Sequence, residues 1–163
     1  MEKGGLILRK KIVFTLFLII ILINITGCNK IDKTINSEKP NNYYYTNGLI
    51  TAYKNEGPKT ITIFHSELYK ERALDKSTYN DVESFLNDLK SDLFIEKPSN
   101  LPKVPLYKLN LEFNKIKYVI NVYNEKYASI YPWDGKFDMD FIDMSTIPLS
   151  HNLYGICRYY LPD

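Results

Sequence analysis

Tyr107-Lys108-Leu109-Asn110-Leu111-Glu112-Phe113-Asn114 places an apolar side chain at every odd position and a polar one at every even position. A period of two sends successive side chains to opposite sides of an extended chain, so this stretch predicts a strand with one dry and one wet face. Asn114-Lys115 then predicts a two-residue turn into a second strand over residues 116–123. Asn124-Glu125-Lys126 turns again into residues 127–131, and Pro132-Trp133-Asp134-Gly135 into residues 137–141. The run reads as an antiparallel meander.

Upstream, residues 49–54 and 59–65 are extended in character and flank Asn55-Glu56-Gly57-Pro58, which predicts a hairpin. Thr78, with Asp81 three residues on, gives a capping-box-like start to a helix whose Val82, Phe85, Leu86, Leu89 and Leu93 share one face. Pro98, Pro102 and Pro105 keep residues 97–105 out of helix. Ser145 or Thr146, followed by Pro148, opens a C-terminal helix with Leu149, Leu153, Ile156 and Tyr160 on one face, although Gly155 works against it. The fold class is therefore α+β: an antiparallel sheet, hairpin plus meander, with an amphipathic helix packed on one face and a C-terminal helix.

The N-terminus is of another kind. Lys3, Arg9, Lys10 and Lys11 precede the apolar run at residues 12–23, which at about 1.5 Å per residue is too short for a hydrocarbon core of about 30 Å and suits a signal peptide. Ile25-Thr26-Gly27-Cys28 has the form of a lipobox, with cleavage between Gly27 and Cys28 and lipid on the Cys28 thiol. The expected organisation is a signal peptide over residues 1–27, a lipidated Cys28 with a flexible tether over residues 28–42, and one domain over residues 43–163. The expected location is the cell membrane, lipid-anchored and facing the extracellular side. The precursor carries +2; loss of the leader leaves 17 Lys and Arg against 18 Asp and Glu, so a basic nucleic-acid surface has no support and no nucleic-acid partner is expected. With Cys28 acylated, Cys157 has no cysteine left to pair with and reads as a small buried side chain.

The lipobox, the helix Asp81-Val82-Glu83-Ser84-Phe85-Leu86, the strand pair around Leu109 to Val122, and Tyr131-Pro132-Trp133-Asp134-Gly135-Lys136 together resemble small clostridial-type (low-GC Gram-positive) lipoproteins of an uncharacterised family. The resemblance implies a surface lipoprotein of unknown role and transfers no functional residue.

No nucleophile motif, zinc helix or phosphate-cradling glycine loop occurs. Catalytic residues are expected to be none, cofactors none and metal none, and the chain reads as a non-enzyme. Asp134, Asp138, Asp140 and Asp143 are oxygen-rich but miss calcium-loop spacing, and read as turn and wet-face residues. Fourteen tyrosines and Trp133 supply aromatic rings with polar tips, and the candidate ligand surface is Tyr131, Trp133 and Asp134. Three classes remain: an accessory module that meets an envelope protein through a sheet edge or aromatic surface, a glycan or small-ligand binder around Trp133, and an enzyme joining His65 to Asp134 or Asp140.

Overall fold

In the computed structural model, which describes residues 38–162, the alternating stretch is strand β4 (Tyr107–Glu112), with Tyr107, Leu109 and Leu111 buried. The other strands are β1 (Thr60–His65), β2 (Lys70–Ala73), β3 (Phe94–Ile95), β5 (Lys117–Val122), β6 (Tyr127–Pro132) and β7 (Asp140–Asp143). They form one sheet in the order β2-β1-β4-β5-β6-β7-β3, with every pairing antiparallel. The helices among the described residues are α1 (Tyr44–Glu56), α2 (Tyr79–Asp88) and α3 (Leu153–Tyr160). The expected signal peptide, Cys28 and most of the expected tether lie outside the described residues.

The meander closes as its turn chemistry requires. The Phe113 amide donates to the Ile116 carbonyl at 2.9 Å across Asn114-Lys115. Asn124 Oδ1 accepts from the amides of Lys126 and Tyr127, each at 2.9 Å, and so fixes the β5–β6 reversal.

Register decides where the core sits. Ile63, Leu109, Ile120 and Ile130 lie in one row across β1, β4, β5 and β6, and Val122, Ala128 and Ile142 in the next. These residues share one hydrophobic cluster with Leu49 and Tyr53 of α1, Val82, Phe85 and Leu86 of α2, and Leu153, Ile156 and Cys157 of α3. All three helices therefore cover the same face of the sheet. The other face, with Thr62, Phe64, Lys108, Asn110 and Tyr131, carries no helix among the described residues.

Several expected elements differ. Residues 49–54 belong to α1 rather than to a strand, because Tyr45, Leu49 and Tyr53 recur every fourth residue and are buried together, and that helical stripe outweighs the strand preference of Ile50 and Thr51. The hairpin exists one strand later: β1 pairs with β2, whose Lys-Glu-Arg-Ala is exposed throughout and has no alternation to read. Thr78 caps nothing, since its hydroxyl donates to the Asp75 carbonyl at 2.7 Å. α2 ends at Asp88, and Leu93 closes a separate 3-10 turn, Ser91–Leu93. The last strand spans Asp140–Asp143, not residues 137–141. α3 starts at Leu153, where Asn152 Oδ1 accepts from the Gly155 amide at 2.9 Å. Leu149 is thereby outside the helix and 46% exposed.

Cys157 is fully buried in this core, and burial pushes its thiol far above the ordinary cysteine range. A thiol-specific reagent is expected to leave Cys157 unmodified in native buffer and to label it once urea unfolds the domain; rapid native labelling would show that the core opens there.

Candidate functional site

The loop joining β6 to β7 organises the candidate surface, and Asp140 fastens it. Asp140 pairs with Ile130 and faces the core side at 0% exposure, so the wet-face reading of this residue is overturned. Its Oδ2 accepts from the Thr46 amide at 2.6 Å and the Thr46 hydroxyl at 2.8 Å, while Lys39 Nζ lies 2.7 Å from Oδ1. Thr46 is the third residue of α1, and Tyr43 offers no side-chain cap. The carboxylate of a distant strand thus caps the helix and sets a negative charge against the positive end of its dipole. Lys39 also donates to the Met139 carbonyl at 3.2 Å and stands 5.6 Å from the centre of the Tyr45 ring. Asn42 donates to the Phe94 carbonyl at 3.0 Å. Within the stretch read as tether, these two residues are already attached to the domain.

Tyr45 holds the loop itself. Its hydroxyl accepts from the Phe137 amide at 2.6 Å and donates to the Phe137 carbonyl at 3.3 Å, and Tyr44 meets the Phe137 ring edge-on at 5.7 Å. Behind them, a Cβ on Gly48 would lie 2.6 Å from the Tyr118 hydroxyl, so glycine lets α1 settle against β5. Between helix and loop runs a groove of about 500 Å³ lined by Tyr44, Tyr45, Tyr118, Asp134, Lys136 and Phe137.

Tyr118 gives this region a pH signature. Burial first, then the nearby Tyr44 and Asp134, push its hydroxyl up to about 12 from 10.0. Because the folded value exceeds the unfolded one, the linked stability is complete below pH 10 and is lost as pH rises through about 12. Urea midpoints are expected to hold steady up to about pH 10 and fall between about pH 10 and 12, with Tyr118→Phe removing part of the fall. An unchanged slope in Tyr118→Phe would place the titration elsewhere.

Tyr131 and Trp133 lie on the opposite side of the sheet. Thr62, Asn110, Val119 and Tyr131 form one row across β1, β4, β5 and β6. Trp133, two residues beyond Tyr131, extends that ladder by donating its amide to the Lys117 carbonyl at 2.9 Å, and its side chain is 76% exposed. It borders a second groove of about 500 Å³ with Thr62, Glu71, Asn110, Glu112 and Lys117, where Lys117 and Glu112 form an ion pair at 2.5 Å. The three candidate residues therefore divide: Tyr131 and Trp133 share the face opposite the described helices, and Asp134 turns into the α1 groove.

Other candidates are also placed. His65 is buried at the far end of β1, edge-on to Tyr107 at 4.7 Å. Four strand positions separate it from Asp140, about 19 Å at about 4.8 Å each, so these two do not meet. Asp134 and Asp138 are exposed. Partial burial pushes Asp143 up, but the Ser145 hydroxyl at 2.5 Å, its amide at 2.9 Å and Lys126 at 3.8 Å outweigh that and hold it below the ordinary carboxylate range. No group of three His, Cys, Asp or Glu among the described residues is placed to hold a metal. Sequence reading missed a cleft of about 730 Å³ between α2 and α3, bordered by Asp81, Asp88, His151, Arg158 and Tyr160, where the Tyr160 hydroxyl donates to Asp81 at 2.5 Å. Its walls lie some seventy residues apart in sequence and carry no shared motif.

The profile of a family described as a domain of unknown function, DUF4883, matches residues 39–157. A solved structure from Clostridium perfringens, named "Putative Lipoprotein", is 30% identical, covers 77% of this chain and 100% of its own, and superposes with a TM-score of 0.68. No curated protein matches the chain.

Proposed function

Because the chain belongs to the DUF4883 family, matched from the clamped Lys39 to the buried Cys157, we propose that it is a lipid-anchored extracytoplasmic protein that binds an envelope partner and performs no chemistry of its own. The lipobox ending at Cys28 and the likeness to a clostridial lipoprotein support the anchor. The observation that carries the binding role is the sheet face opposite the three described helices, where half-buried Thr62, Asn110 and Tyr131 share one row that ends at the exposed Trp133.

The sheet edges are poorer candidates. β2 is four residues long, charged and exposed, and β3 has two residues, both features that discourage addition of a further strand. Partner engagement is therefore assigned to the face. A second reading, a glycan ligand, is favoured by the groove in which an aromatic plane, Trp133, adjoins the hydroxyl, amide and carboxylate groups of Thr62, Asn110 and Glu71.

Crosslinking and affinity recovery from intact membranes, with the native anchor kept, tests the reading. A reproducible protein partner that is lost in Asn110→Arg, while the variant keeps its thermal midpoint, is the expected result. Undiminished recovery with Asn110→Arg would remove the face from the account. Binding of purified cell-wall fragments in place of any protein would favour the glycan.

A further inference from the structure

Where the chain enters the domain is fixed unusually well for a tethered protein. The Lys39 ammonium sits against the Asp140 carboxylate at 2.7 Å, the Met139 carbonyl at 3.2 Å and the Tyr45 ring. The same tyrosine grips the Phe137 backbone through its hydroxyl. Entry point and β6–β7 loop are thus fastened to each other. Trp133 opens that loop three residues beyond Ile130, the partner of Asp140, so the two backbones are separated by about 10 Å along the strand and about 5 Å across it. Tyr69, in the β1–β2 turn beyond His65, marks the opposite end of the sheet and is 84% exposed.

Cys28 precedes Lys39 by eleven residues, a length that reaches at most about 38 Å whatever its conformation. A compact body of about 125 residues is roughly 35 Å across by chain-length scaling. An acylated Cys28 therefore holds the Lys39 end within about one domain width of the bilayer, and any shortening of the connection brings it nearer. The single tryptophan of the chain stands at that end, far more exposed than a ring of its size needs to be, with the half-exposed Tyr44 ring on the same loop's helix side.

We infer that Trp133 is a second membrane contact: the end of the domain that carries the tether rests on the bilayer, with the indole in the headgroup zone. This inference rests on the lipid-anchor reading. An indole has an apolar body and one N–H donor, which suits the boundary between acyl chains and water. Asp134 and Asp138 outnumber Lys136 in the loop, so the attraction does not come from anionic lipid, and contact is at least as good on neutral as on acidic vesicles. In this posture half-buried Thr62, Asn110 and Tyr131 stand clear of the lipid and remain accessible to a partner.

The test uses the full processed protein, purified from membranes and reconstituted in phosphatidylcholine vesicles with and without phosphatidylglycerol, some carrying brominated acyl chains. A mass measurement on the same sample reports whether Cys28 bears lipid, which separates failure of the anchor from failure of the posture. With lipid present, Trp133 emission is expected to shift to the blue, to lose intensity with brominated chains, and to be shielded from aqueous iodide at least as well on neutral as on acidic vesicles. A control protein with Trp133→Phe and Tyr69→Trp moves the probe to the far end and is expected to stay fully open to iodide. Equal iodide access for the two probes, or a Trp133 response to wall fragments but not to brominated lipid, would overturn the inference.

Discussion

Asp140→Ala is expected to be among the most damaging single substitutions in the domain, lowering stability by about 3 to 5 kcal/mol, the range for removing one partner of a buried ion pair. The change strands three donors together: the Lys39 ammonium, the Thr46 amide and the Thr46 hydroxyl. It also removes the cap from a thirteen-residue helix that has no side-chain cap of its own. Lys39→Met is expected to cost less, because Thr46 still donates twice to the carboxylate that remains, yet well above the few tenths of a kcal/mol usual for a surface lysine. The double variant should lose less than the sum of the two, since both act on one network. Urea midpoints with unchanged slopes measure all three. A neutral Lys39→Met would mean that the domain starts after residue 39 and that the clamp is a surface contact.

Gly155→Ala sets two principles against each other. By helix propensity alone, alanine in α3 should stabilise by about 1 kcal/mol. The position is not open, however: an added Cβ would overlap the Leu149 carbonyl oxygen and lie 2.9 Å from the Leu149 carbonyl carbon. Both atoms are backbone, held by the turn in which the amides of His151 and Asn152 donate to the Pro148 carbonyl at 2.8 and 3.0 Å. Either that turn or the first turn of α3 has to move, and the Asn152 cap with it. A loss of about 3 kcal/mol is expected, at the upper end of the cost of overpacking. Gly57, with nothing within 4 Å of its missing Cβ, provides the contrast: alanine there meets no neighbour and is opposed only by the backbone, whose φ of 62° and ψ of 158° fall in a region essentially reserved to glycine, at a cost of about 1 to 3 kcal/mol. Thermal scans of both variants decide the ranking, and a stabilised Gly155→Ala would contradict the packing described for α3.

The meander was legible because β4 alternates and the first two reversals carry Asn114 and Asn124, so local and global preferences agree there. α1 was hidden by composition: Ile50, Thr51 and Tyr53 look like strand formers, and the deciding stripe of Tyr45, Leu49 and Tyr53 is only three residues long. β2 was hidden for the opposite reason, since an exposed edge strand made of Lys70, Glu71 and Arg72 has no apolar member until Ala73. Asp140 shows the limit most clearly. Its neighbours Met139 and Phe141 alternate with it as apolar residues of a half-wet strand should, and only the arrival of Thr46 and Lys39 from nearly a hundred residues away makes the acid the buried one. Of the candidate surface, sequence singled out Tyr131, Trp133 and Asp134 together by their chemistry, and with Trp133 and Asp134 read as one turn it could not tell that Trp133 borders one groove and Asp134 another.

The lipid on Cys28 is the claim from which location, tether length and membrane posture all descend. An intact-mass measurement on native protein extracted from cell membranes tests it directly. The expected species begins at Cys28 and is heavier than the polypeptide by a diacylglyceryl group, with Cys28→Ala blocking both cleavage and lipid gain. A species that retains Met1 and carries no added mass would contradict the account.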